Sequence, residues 1–97
     1  MDRIERITAM EKKLDAADAA LCALERALEG YAAALGEIGA LEDYLSSAER
    51  RGDLLADESG RLPASLRRGV LSEDGICDLL ERNDELRLRL RELAGRE

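Results

Sequence analysis

The side chains best equipped for chemistry in this 97-residue chain are carboxylates. Asp43, Asp53, Asp57 and Glu58 lie in its most acidic stretch, where residues 30–60 hold seven acids against two arginines. Hard oxygen ligands of this kind suit a divalent cation, which makes Asp53, Asp57 and Glu58 the candidate metal ligands. A hydrolytic role, or acid–base chemistry by Asp53 or Asp57, would follow from such a site. The spacing matches no calcium-loop pattern, however. The competing expectation is a solvated acidic surface that pairs with Arg50, Arg51, Arg67 and Arg68.

Other chemistry is sparse. The chain has no His and only two Cys, Cys22 and Cys77. They form no CxxC pair and no metal-ligand cluster, so free, partly buried thiols are expected. No Ser sits in a nucleophile-elbow context, and Gly60 and Gly69 are separate turn glycines rather than a phosphate loop. The expectation is therefore no cofactor and no enzymatic activity. Fifteen Lys and Arg against 22 Asp and Glu leave a formal charge of −7. That charge opposes binding to phosphates, and aromatic platforms for stacking bases are missing. Arg82, Arg87, Arg89, Arg91 and Arg96 form a basic face, but residues 61–97 balance eight Arg against eight acids. Nucleic acid and membrane are thus not expected as partners, whereas an acidic mimic of nucleic acid that binds a basic protein remains an alternative function. No uncharged apolar run approaches the ~20 residues needed to span a bilayer. The opening residues carry both charges throughout without an apolar h-region, which predicts a cytoplasmic protein.

The elements that hold these residues follow from periodicity. Hydrophobic residues make up 45% and aromatics only 2%, a composition typical of long helices or coiled coils rather than disorder. Ile7, Leu14, Leu21, Leu28 and Leu35 repeat every seven residues, and Met10, Ala17, Leu24, Tyr31 and Ile38 fill the second heptad position. The stripe keeps phase through Gly30 and Gly36. One long helix over about 2–49 is therefore predicted, roughly 70 Å at 1.5 Å per residue, with a kink near Gly30–Gly39 as the alternative. After Ile38 the pattern arrives one residue early, at Leu41, Leu45 and Ala48, which turns the contact face. Tyr31 belongs to the core stripe. Tyr44 lies off it, as a candidate anchor for the following segment or a partner.

Residues 50–72 read as a connector. Gly52 is the expected end of the first helix, with a short helix at about 53–59 closed by Gly60. Pro63 moves Leu62 out of helical geometry. Leu62, Leu66, Val70 and Leu71 predict a connector packed against helices, and Arg68 is placed to reach Asp53 or Asp57 and hold it shut. A last helix over about 73–94 starts from Ser72 as N-cap, with Glu73 and Asp74 in its first turn. Ile76, Leu79, Asn83, Leu86, Leu90 and Leu93 form its stripe, and Leu88 points outward. Asn83 stands where an apolar residue is expected. It either fixes register and oligomeric state or bonds a backbone group of the connector. At roughly 33 Å this helix shields about half of the first. The expected architecture is all-α: a long N-terminal helix packed antiparallel on a C-terminal helix, a coiled-coil-like hairpin with a packed connector, in one domain over 1–97.

The stretch from Leu41 to Leu86 also resembles a family of small bacterial proteins known only as a domain of unknown function. The resemblance rests on Asp43-Tyr44, on Ala56-Asp57-Glu58 with Gly60, on Leu62-Pro63, and on Arg68-Gly69-Val70-Leu71-Ser72-Glu73-Asp74. An opening Arg3–Ile7 segment of RIERI type extends it over nearly the whole chain. Leu45 stands where a second Tyr is typical, and the Trp often found near position 50 is absent. The family carries no assigned activity, so the resemblance implies a fold only. Taken together, these readings predict a non-enzymatic protein–protein interaction module, forming a homodimer or binding a partner protein through its heptad stripe, with Tyr44, Arg68 and Asn83 as candidate interaction residues.

Overall fold

The computed structural model describes residues 2–96, and Met1 and Glu97 lie outside them. Three helices and one 3₁₀ turn make up the regular structure: α1 (Arg3–Leu45), α2 (Ala48–Glu58), the turn Gly69–Leu71, and α3 (Gly75–Ala94). Among the described residues there is no strand. The all-α class and the long N-terminal and C-terminal helices are as the periodicity predicted.

Local chemistry explains the helix ends. Asp2 Oδ1 accepts a hydrogen bond from the Glu5 N–H at 2.7 Å, which satisfies one of the orphan donors at the start of α1. Alanine, leucine, glutamate and lysine, all strong helix formers, then carry α1 unbroken through Gly30, Gly36 and Gly39. The helix stops at Leu45 rather than about residue 49, because Ser47 intervenes before Gly52. The Ser47 hydroxyl donates to the Tyr44 carbonyl at 2.7 Å and accepts from the Arg50 N–H at 3.1 Å. One side chain thereby closes α1 and caps α2, so Gly52 sits inside α2 instead of ending a helix. At the far end Gly60 takes φ +71, its N–H bonding the Asp57 carbonyl and the Arg61 N–H the Ala56 carbonyl. This is the Schellman closure, which needs a left-handed residue that glycine adopts without a Cβ penalty.

The start of α3 also differs from expectation. Ser72 caps a turn rather than the helix itself: its hydroxyl donates to the Gly69 carbonyl at 2.7 Å and accepts from the Gly75 N–H at 3.0 Å. Glu73 and Asp74 therefore precede α3, whose first-turn acid is Asp78.

By contact density the chain divides into two units, Met1–Leu35 and Gly36–Glu97. Within the second, the 3₁₀ turn touches both α2 and α3, so the connector is packed, as its apolar residues implied. The C-terminal helix packs on the end of the long N-terminal one. Leu41, Ile76 and Leu79 meet there with Val70 around an open, mainly apolar cleft of about 380 Å³. Ile76, 3% exposed, is the one buried side chain among the described residues. Gly75 makes this closeness possible. A Cβ there would stand 2.3 Å from the Gly69 carbonyl oxygen and 2.5 Å from Ser72 Oγ, so only glycine fits.

The first unit is helix alone. Its stripe is open to water. Leu24, Leu28 and Leu35 are 45–46% exposed. Cys22 and Cys77 are free, as expected, but both are exposed rather than partly buried. Cys22 sits beside the stripe residue Leu21, and Cys77 follows Ile76 on an outward side of α3.

Candidate interaction surfaces

Two surfaces carry the residues singled out above. The first is the apolar face of α1 over residues 7–35. Seven-residue spacing lines up side chains along a straight helix to within a small drift, so the heptad positions form one continuous strip. Ile7, Met10, Leu14 and Leu21 are each more than half exposed, and Ala9 and Tyr31 are half-buried. Scattered surface leucines are ordinary, but a row of this length with one orientation is not.

The second surface is a polar clasp that ties the connector shut. Tyr44, near the end of α1, donates its hydroxyl proton to Asp53 Oδ2 of α2 at 2.5 Å. That hydrogen bond, with partial burial and the neighbouring negative charge, raises the phenol above its ordinary 10.0. Further along α2, Asp57 Oδ1 meets Arg68 Nη1 at 2.7 Å. Both side chains are about one-third exposed, so the pair closes the loop geometrically more than it stabilises the fold. The third contact comes from Arg50. Its Nε donates to the Val70 carbonyl at 3.1 Å and its Nη2 to the Ser72 carbonyl at 3.4 Å. A guanidinium fork suits two carbonyls on adjacent turns, and here it holds the 3₁₀ turn against α2.

The sequence-predicted residues separate accordingly. Arg68 reaches Asp57, one of its two expected targets, and Tyr44 anchors α2 through Asp53. Asn83 is half-buried on α3. The carboxylates proposed as metal ligands are not assembled into a site. Asp53 faces Tyr44, Asp57 faces Arg68, and Glu58 is exposed at the end of α2. Among the described residues no group of three His, Cys, Asp or Glu is placed to hold a metal ion. The expectation of a cation site at Asp53, Asp57 and Glu58 is corrected for that reason: two of the three are drawn to separate hydrogen-bond donors. Arg50 was missed as the clamp. Its acceptors are backbone carbonyls, which every residue type supplies, so no pattern of side chains announces it.

Among the described residues, no helix is long and apolar enough to cross a membrane. In comparison with known proteins the chain matches the model of a domain of unknown function, DUF4298, over residues 7–93. No curated protein and no solved structure matches the chain.

Proposed function

We propose that this chain, which belongs to the DUF4298 family, is a non-enzymatic helical interaction module that associates with itself. The observation that carries this reading is the exposed stripe of α1, in which Leu14 is 62% and Leu21 60% open to water. An isolated helix is marginal in water even when its propensities are good, and most helices in proteins owe their stability to packing of one apolar face. Among the described residues, 2–35 form a unit with such a face and a single helix. A second copy supplies the missing cover. The lack of His and of any phosphate loop or nucleophile motif supports a binding rather than a catalytic role.

Sedimentation equilibrium of the full chain tests the reading. The wild type is expected at twice the chain mass. A variant with Leu21→Glu and Leu28→Glu is expected as a monomer, since each leucine kept from cover removes about 2 kcal/mol of apolar burial per chain. Amide exchange should show faster exchange over residues 3–35 of this variant and unchanged protection around Ile76. A wild type that is monomeric at every concentration refutes the proposal.

A further inference from the structure

We infer that the second copy lies parallel to the first and in register along α1 over residues 7–35, an inference that rests on the self-association proposed above. The apolar stripe alone does not choose a direction, but the charges beside it do. With Ile7 at heptad position a, the flanking g positions near the N-terminus are Arg6 and Lys13. The flanking e positions are Glu11, Asp18 and Glu25. All five are exposed. In a parallel, in-register pair each g residue faces the e residue of the following heptad on the other strand. Arg6 then meets Glu11 of the second copy and Lys13 meets Asp18 of the second copy, each twice by symmetry. An antiparallel pair instead sets e against e. The acidic row Glu11, Asp18 and Glu25 would confront its own copy, and the cations would face each other or alanines.

The placement of these charges within one helix points the same way. Helical ion pairs form between residues three or four apart. No acid lies at that spacing from Lys13, and no base lies at it from Glu11 or Asp18. Their charges are therefore not arranged to serve their own helix. Among the described residues the one ion pair is Arg68–Asp57, far along the chain. Farther along the stripe the g positions are Ala20, Ala27 and Ala34, small residues that place no like charge between the strands.

Cross-linking reads the orientation directly. In a background with Cys22→Ser and Cys77→Ser, single variants Met10→Cys and Leu24→Cys place thiols at d positions fourteen residues apart. Only a parallel, in-register pair brings both sets of identical positions within disulfide reach, and Asp15→Cys on the outer face serves as control. With oxidised glutathione, each d-position variant is expected to give roughly tenfold more disulfide dimer than the control. Sedimentation of the same reduced samples separates the outcomes. Dimers that fail to cross-link at both d positions overturn the parallel register while leaving self-association standing. Monomers throughout overturn both, and selective cross-linking at residues 10 and 24 establishes the register.

Discussion

The two units of this chain solve the same problem in opposite ways. Among the described residues of the second unit, Ile76 is the single buried side chain, yet α2, the end of α1 and the 3₁₀ turn are fastened by polar contacts from Tyr44, Arg50 and Arg68. Residues 2–35 carry a far longer apolar row, and it lies open to water. The first case shows that tight turns and directed hydrogen bonds can order a segment with almost no core. The second shows that a helix can form along a segment whose apolar row stays open to water. A region that closes on itself is a scaffold. A region whose pattern is left open is where a partner is expected.

Three substitutions probe that contrast on the scaffold side. The largest effect is expected at Gly75→Ala. The added Cβ meets a backbone oxygen that cannot rotate away, so the 3₁₀ turn and α3 must separate. A loss of about 3 kcal/mol in the stability of the 36–97 unit is expected, near the upper end for single changes. Denaturant titration checks it, and undiminished stability would break the view that close backbone approach takes the place of a core. Dimer formation through α1 should survive this change, which sharpens the separation of the two units.

A smaller effect is expected at Arg68→Ala. The pair with Asp57 is partly exposed, so its net contribution is at most ~1 kcal/mol. Its removal should speed amide exchange over residues 53–71 and leave the long helix protected. Unchanged protection there would mean that Arg50 alone closes the connector.

The smallest effect concerns Tyr44. Its folded phenol titrates above the ordinary 10.0, so the folded state holds this proton more tightly than the unfolded chain does. The contribution is fully present below pH 10.0 and is lost as the pH rises through the higher folded value. Tracking the tyrosine ring carbon by NMR against pH should show one late titration that returns to the ordinary range in Asp53→Asn. A titration unaffected by that change would remove Asp53 as the cause.

Parts of this arrangement were legible from residue types. The heptad stripe, the Schellman glycine Gly60 and the attraction between Arg68 and the α2 acids are written in side-chain identity and spacing, so pattern reading finds them. The end of α1 was misplaced because Ser47 and Gly52 are both stop signals. Their order of effect depends on whether one hydroxyl can reach two backbone groups at once. The cation site failed because negative charges near one another in sequence need not converge: Asp53 and Asp57 each found a donor elsewhere. Arg50 and Gly75 were not legible as the clamp and the close approach, since their partners are backbone atoms of residues about 20 and six positions away.

From its sequence alone this protein was bound to be helical, with an apolar seam along its first half and acids concentrated in its middle. Periodicity and charge are properties of residue order, and no folding is needed to count them. Which acids meet which donors, where the first helix stops, and that Ile76 is sealed from water were decided only in three dimensions. Those outcomes depend on backbone groups meeting across turns, and an N–H or a carbonyl has no letter in the sequence to mark where it will point.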